Sequence, residues 1–465
     1  MPGRWLRGPI HHLRRDPLRW IPAWFREYGD VFMIASAMGR VTMVGSPELA
    51  CQVLVDRYPR YQRKSRAYAV LRILMGDGLV TSAGEFWRGQ RKLVQPAFHR
   101  RRLDAIFGMM VERALECVDR LGPAADGGEP VDLAPLLSQF TLDIIARAMF
   151  SSDVQGGATE VSRHVGRLNE YALRMLRQPW LFLLPRRFPS PFNHAAHRSL
   201  KSLDGIVRGI IQARRRRPEA HDDLLSMLLS ACEEGTGLGM TDDQLRDEVM
   251  TIFVAGHETT ANAMSWLLYL VSRHPEVEEE LWAEIDGHWP EGGLTLENLG
   301  AFTYTRQVIE ESLRVYPSIW SVGRSCTEED ELGGCRIPAG MNVVVPIFHF
   351  HWSERFWAEP GKFDPGRFSP KRRPPAEPMI YFPFGAGPRS CIGNQFAMQE
   401  LMILTVLFHR HFRFRLEPGF KVELDPLITL RPKFGMRMVL ERRRKAGGDP
   451  KGERPRQPDA QEAVK

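Results

Sequence analysis

Apolar residues recur every three or four positions through most of residues 85–285, the mark of amphipathic helices packed on one another. The longest such pattern starts at Thr241. Thr241-Asp242-Asp243-Gln244 reads as a capping box with two carboxylates in the first turn, and Leu245, Val249, Phe253, Met264, Leu267 and Leu270 carry an apolar face towards Ser272. Further helices are expected over about 304–315, stopped by Pro317, and over about 394–412. Ser46-Pro47 opens a shorter one to about Leu54, and Arg214 to Arg217 close another before Pro218. Alternation replaces the helical period in few places. Residues 30–45 alternate around Gly39 and predict a hairpin, 336–337 and 343–346 read as short strands, and 427–440 predict a final hairpin. Proline and glycine interrupt 185–191 and 360–388. The expected fold is mainly α with small β-sheet regions. A basic arm over 1–20 precedes a single domain over 21–441, and a polar, basic tail over 442–465 is expected to be disordered.

Composition narrows the function classes. In 465 residues, 43% are hydrophobic and 26% charged, the balance of a folded protein. The net charge of +7 is mild and demands no nucleic-acid partner. No apolar run reaches spanning length and the mean hydropathy is −0.29, so no membrane span is expected. Residues 1–15 lack the apolar core of a secretory leader, and the protein is read as cytoplasmic. Cys51, Cys117, Cys232, Cys326, Cys335 and Cys391 form no C-x-x-C pair, which argues against a disulfide framework, a thiolate zinc site or an iron–sulfur cluster.

Candidate chemistry concentrates in Phe384-Gly385-Ala386-Gly387-Pro388-Arg389-Ser390-Cys391-Ile392-Gly393. This is not a dinucleotide fingerprint, because Ser390 stands where the third glycine would be, and not a zinc knuckle, because no second ligand lies nearby. Its glycines let backbone N–H groups approach Cys391, Arg389 lies two residues before it, and a helix beginning just after it favours a thiolate. A single axial thiolate with donors around its sulfur suits a Cys-ligated haem iron. A glycine-rich turn with a buried thiol is the plainer reading of the same residues.

Three further clusters stand out. Ala255-Gly256-His257-Glu258-Thr259-Thr260 falls in the middle of the long helix; it is not a zinc-protease site, because Ala261 replaces the second histidine. A mid-helix threonine can bond the carbonyl one turn back, loosen the ladder and open a notch, and Glu258 beside it can pass protons inward. Glu311-Ser312-Leu313-Arg314 places opposite charges on one helix face, and Trp87-Arg88-Gly89-Gln90-Arg91 places Trp87 beside Arg91. Taken singly, each would pass for an ordinary helix face or a solvated charge.

Together these segments resemble the cytochrome P450 superfamily, the haem-thiolate monooxygenases. Phe384 to Gly393 matches F-x-x-G-x-R-x-C-x-G at every fixed position, and the other three clusters follow in family order and spacing. The resemblance spans about 16–440. It implies haem b, iron protoporphyrin IX, with Cys391 as the proximal iron ligand and Phe384 packed beside it, tuning its electron donation. Ala255 and Gly256 would leave room for the flat macrocycle. Thr259 would be the oxygen-activating threonine and Glu258 its acid, with His257 facing away. Trp87, Arg91, Arg324 and Arg389 would hold the propionates. Glu311 and Arg314 would form a buried pair joined by Arg367, in a stretch that carries Gly366 where the family commonly has glutamate.

The implied activity is insertion of one oxygen atom from O2 into a lipophilic substrate such as a fatty acid or terpenoid, foremost as C–H hydroxylation. A separate ferredoxin or flavodoxin with its reductase would supply electrons, and the protein is expected to act as a monomer. Arg88, Lys92 and Arg100 to Arg102 are candidates for that docking surface. A peroxide-driven peroxygenase and a non-catalytic haem sensor are the alternatives; the intact Glu258-Thr259 pair argues against both. By the same resemblance the pocket is lined by 68–79, 253–259, 318–322 and 428–430, where Ile73, Leu74, Phe253, Ile319 and Trp320 point to an apolar ligand.

Overall fold

The computed structural model describes residues 12–13, 15–36, 39–150, 157–177, 191–216, 223–231 and 239–443. Helices dominate: α1 (Pro17–Tyr28), α2 (Pro47–Cys51), α3 (Arg66–Met75), α4 (Gly84–Val94), α5 (Arg100–Gly127), α6 (Leu133–Phe150), α7 (Gly157–Arg177), α8 (Pro191–Arg216), α9 (Asp242–Arg273), α10 (Pro275–His288), α11 (Thr303–Val315), α12 (Ile347–Trp352) and α13 (Asn394–His411), with a few shorter turns. The spine is α9. Thr241 Oγ1 accepts from the Gln244 N–H and Gln244 returns a bond to the Thr241 N–H, so the expected capping box closes. Most of α9 is buried, and Val249, Met264 and Leu267 join residues of α5, α6 and α13 in one large apolar core.

Sheets are small and peripheral, and the expected strand at 336–337 is β7 (Cys335–Ile337), paired antiparallel with β6 (Asp330–Leu332). β1 (Val31–Ser36) and β2 (Gly39–Val44) pair antiparallel as the alternation predicts. β2 also runs parallel to β8 (Asn342–Val345), which pairs antiparallel with β5 (Val322–Cys326), and β5 meets β3 (Tyr61–Gln62), giving the order β1-β2-β8-β5-β3. Apolar residues from this sheet, including Val44, Val343 and Val345, form a second core with Leu54 and Phe382, so the sheet supports the segment that leads into the cysteine loop.

Four expectations change. Residues 427–440 do not form one hairpin: β11 (Leu430–Pro432) pairs with β10 (Leu424–Pro426), whereas β12 (Arg437–Arg442) lies between β4 (Val131–Asp132) and β9 (Phe412–Leu416). Alternation reports that both segments are strands and is blind to their partners. The helix after Ser46 gives way at Gln52–Asp56 to a π-turn that carries Leu54 and Val55 under the cysteine loop. The end of the expected N-terminal arm is folded: Asp16 caps α1 by accepting from the Arg19 N–H, and Trp24 and Phe25 are buried. Arg442 belongs to β12 and binds Asp126, so the chain stays ordered past the expected start of the tail. The rest of the arm and tail lies largely outside the described residues, as does the link after Arg216.

Candidate functional site

The cysteine loop is a short 3-10 turn, Gly387–Arg389, between Phe384 and the start of α13. The Gly385 N–H donates to Phe382 O at 2.9 Å, Ser390 N–H to Gly387 O at 2.9 Å and Cys391 N–H to Phe384 O at 2.9 Å, so the loop closes on itself around the thiol. Gly387 has φ +69°, and a Cβ there would strike the Leu54 carbonyl, so glycine is required both by conformation and by packing against the π-turn. The Cys391 side chain is accessible. Surrounding protein nonetheless desolvates the thiol and raises its pKa, against the Gly393 N–H and the Arg91 and Arg63 cations, which favour thiolate.

Beside the thiol lies a crowd of guanidinium groups. Arg91, on α4, donates to Ser390 O at 3.1 Å. Arg389 lies over the Trp87 ring at 3.7 Å. Arg324, on β5, is 2% exposed. Arg63, which no sequence motif marks, donates to Val80 O at 3.1 Å and Arg389 O at 3.3 Å and lies over the Tyr68 ring at 5.6 Å. Among the described residues no carboxylate pairs with Arg63, Arg324 or Arg389, and burial with mutual repulsion pushes the pKa of Arg389 down to about 8 and of Arg324 down to about 10. Burial alone would raise the Tyr68 phenol; Arg63, Arg324 and Arg389 hold it below its ordinary value. Arg63 Nε, Arg324 Nε and Arg389 Nη1 are buried without a hydrogen-bond partner. Orphaned buried cationic donors are costly unless an anion completes them.

The Ala255 to Thr260 cluster lies in the middle of α9. In the largely buried middle of this helix Ile252, Ala255, Gly256 and Thr259 are half-buried at helical spacing, with Glu258 half-buried beside them. Thr259 Oγ1 donates to Ala255 O at 2.7 Å and Thr260 Oγ1 to Gly256 O at 3.1 Å. Ser318 Oγ donates to Thr259 O at 2.7 Å and Thr141 Oγ1 to His257 O at 2.9 Å. The helix is continuous here, contrary to the expected loosened ladder, because a carbonyl has two lone pairs and accepts the side chain without giving up its backbone donor. Gly256 faces a neighbour the sequence did not reveal: a Cβ there would meet the terminal methyl of Ile145 on α6, which would have to shift to admit it. His257 is buried and bonds Phe253 O at 2.6 Å. Glu258 accepts from Asn169 Nδ2 at 2.6 Å and from Thr429 Oγ1 at 2.8 Å. Among the apolar pocket candidates, Leu74 and Phe253 are buried in the core, while Ile73, Ile319 and Trp320 are half-buried.

The expected triad assembles behind the loop. Arg314 Nε and Nη2 bond the two Glu311 carboxylate oxygens at 2.7 and 2.8 Å, and Arg367 Nε lies 3.4 Å from Glu311. Desolvation raises the Glu311 pKa, opposed by Arg314, the Asp364 N–H and Arg367. Arg314 also donates to His351 O at 2.7 Å and Lys362 O at 3.2 Å, and Arg367 to Glu359 O at 2.9 Å. His351, absent from any sequence pattern, joins this cluster to the loop. Its Nδ1 lies 3.2 Å from Arg314 O and its Nε2 accepts from the Phe382 N–H at 3.2 Å. Those partners fix the neutral tautomer with the proton on Nδ1.

The helical spine, the glycine-rich cysteine loop and the buried Glu–Arg pair define a haem-thiolate protein class. The chain matches the cytochrome P450 family over residues 1–436 and belongs to it. It is 33% identical to cytochrome P450 132 of Mycobacterium bovis, covering 89% of this chain and 90% of that protein. It is also 33% identical to cyclooctat-9-en-7-ol 5-monooxygenase of Streptomyces melanosporofaciens, covering 89% and 88%. The crystal structure of the cytochrome P450DA haem domain superposes with a TM-score of 0.85 at 26% identity, covering 95% of this chain and 97% of that one. The protein is a cytochrome P450 monooxygenase, and the family implies a haem-iron cofactor. The residues present fit that group. The orphaned guanidinium donors would suit carboxylates, and the accessible Cys391 sulfur is the kind of soft donor that haem iron takes. Among the described residues no helix is long and apolar enough to cross a membrane.

Proposed function

We propose that the chain binds haem b and inserts one oxygen atom from O2 into a lipophilic substrate, foremost by C–H hydroxylation, with electrons from a separate ferredoxin or flavodoxin and its reductase. The observation that carries this reading is the pairing of the Cys391 loop with an uncompensated arginine cradle that takes dicarboxylates. Cys391 is the iron ligand, with Phe384 packed beside it. Trp87, Arg91, Arg324 and Arg389 hold the propionates, and Arg63 joins them. Bound haem supplies the reductive activation of dioxygen. Ala255 keeps the α9 face low where the ring lies, whereas the side that Gly256 leaves bare is occupied by Ile145 of α6, so Gly256 serves helix packing rather than the ring. Thr259, whose hydroxyl proton points to Ala255 O, presents its lone pairs to a proton donor, and Glu258 is that donor's source. Glu311, Arg314 and Arg367 hold the loop's support rigid rather than touch substrate.

Half-buried Ile73, Ile319 and Trp320 support an apolar substrate class. Turnover with a surrogate redox system tests the reading. Oxygen-dependent product supports it, and Thr259→Ala should then keep haem and substrate binding while diverting reductant into peroxide. Peroxide-only turnover would favour a peroxygenase, and no turnover across a broad substrate panel would favour a haem sensor.

A further inference from the structure

Glu258 is held from two walls. Asn169, on α7, donates Nδ2–H to Glu258 Oε2 at 2.6 Å, and Thr429, in the turn between β10 and β11, donates Oγ1–H to Glu258 Oε1 at 2.8 Å. Asn262, one helical turn beyond Glu258 on α9, donates Nδ2–H to Thr429 Oγ1 at 3.3 Å. A hydroxyl has one proton, so the bond received from Asn262 leaves the Thr429 proton directed at Glu258.

The turn itself is pinned. Trp266 Nε1 donates to Leu430 O at 2.9 Å, Trp320 Nε1 to Leu427 O at 2.8 Å and the Leu430 N–H to Ser318 O at 2.8 Å. Ser318 Oγ then donates to Thr259 O at 2.7 Å. The turn that carries Thr429 is therefore fixed to the same helix segment that presents Thr259. Thr429 is 4% exposed and Asn262 7%, so the bond that orients Thr429 is sheltered from competing water, while Glu258 itself is half-buried.

We propose that Thr429, oriented by Asn262, and Asn169 are positioning residues that hold the Glu258 carboxyl at a fixed approach to the Thr259 hydroxyl and so set the efficiency of proton delivery. Successive residues on a helix point about 100° apart, so Glu258 does not face Thr259 by default and its approach depends on what holds its far end. Both holding groups sit on elements other than α9, which makes proton delivery responsive to the seating of α7 and of the 427–429 turn. The proposal rests on the proton-delivering role given to Glu258 above.

The test uses the full-length haem-loaded enzyme with its surrogate redox partners. Thr429→Val keeps the side-chain shape and removes the hydroxyl. Product formed per reductant consumed should fall by about tenfold to a hundredfold, the upper end being what a misplacement of about 1 Å can cost. The solvent isotope effect on turnover should change, while the haem spectrum and substrate-binding shift stay those of wild type. Thr429→Ser should restore coupling, and Asn169→Ala should reproduce the loss from the opposite wall if Thr429→Val folds poorly. In a Glu258→Gln background, Thr429→Val should add nothing. An equal further loss in that background, or failure of Thr429→Ser to restore coupling, would show a merely structural role and overturn the proposal. Wild-type coupling in both Thr429→Val and Asn169→Ala, with Glu258→Gln still slow, would overturn it and leave the relay standing. A silent Glu258→Gln would remove the relay and the clamp together.

Discussion

His351→Phe separates hydrogen bonding from packing at the joint between the Glu311–Arg314 pair and the cysteine loop. His351 is fully buried and its ring stacks on Tyr381 at 5.4 Å, a place phenylalanine can fill. What disappears are the bond to Arg314 O and the bond from the Phe382 N–H, each 3.2 Å. Both stranded backbone groups belong to buried residues. A buried polar group left without a partner costs about 1–3 kcal/mol, so the variant should lose about 2–6 kcal/mol. Because Phe382 O also receives the Gly385 N–H, the loss should register at the loop, as weakened haem retention before helix content falls.

The same residue gives a pH check. Desolvation, with help from the Arg314 cation, pushes the His351 pKa down to about 3, against about 6.5 in an unfolded chain. At about pH 7 and above both states are neutral and the ionisation contributes nothing. Below about pH 6.5 the unfolded chain binds a proton that the folded chain refuses, so wild type loses about 1.4 kcal/mol per pH unit from this group. His351→Phe has no such group. The gap between the two proteins should therefore narrow by about 2 kcal/mol between about pH 6.5 and 5. Urea unfolding followed by the Soret band and by tryptophan fluorescence measures both effects. A variant within about 0.5 kcal/mol of wild type at neutral pH, or a gap indifferent to acid, would refute the reasoning.

Arg324→Leu should act oppositely on the two forms of the protein: apoprotein melts higher, because a repelled buried cation is gone, while the haem dissociation rate in an apomyoglobin transfer assay rises; a rise in neither would contradict the cradle. Gly256→Ala should lower the melting temperature by displacing the Ile145 methyl, and Ile145→Ala in the same chain should recover part of the loss; additive losses would count against that contact. Charge reversal at Arg88 and Lys92, both exposed on α4, should slow the first electron transfer and flatten its ionic-strength dependence; unchanged rates in stopped flow would remove this face from partner docking.

Local rules made the spine legible. The Thr241 capping box, the three-residue spacing of Glu311 and Arg314 and the glycines around Cys391 act over a turn or two of chain, and the structure builds each of them. What stayed hidden depends on partners remote in sequence. Arg63 matters through Arg389, 326 residues away, and Thr429 through Glu258, 171 residues away. His351 sits in an apolar and aromatic stretch that gives no sign of a joint. Gly256 illustrates a subtler limit: its small size was legible, yet the neighbour that faces it, Ile145, was not. The final hairpin failed for the same reason, since β12 finds β4 and β9 rather than the adjacent β11. The basic residues around Arg442 read as tail, whereas its place in β12 is set by strand pairing and by Asp126.

The most direct test of the account is the absorption spectrum of the reduced carbonyl complex in Cys391→Ala beside wild type. Wild type should give the strongly red-shifted Soret band of thiolate-ligated haem. Cys391→Ala should lose that band or the haem itself, while substitution of Cys51, Cys117, Cys326 or Cys335, free thiols outside the loop, should leave it intact. A wild-type spectrum from Cys391→Ala would contradict the assignment of the axial ligand and the function built on it.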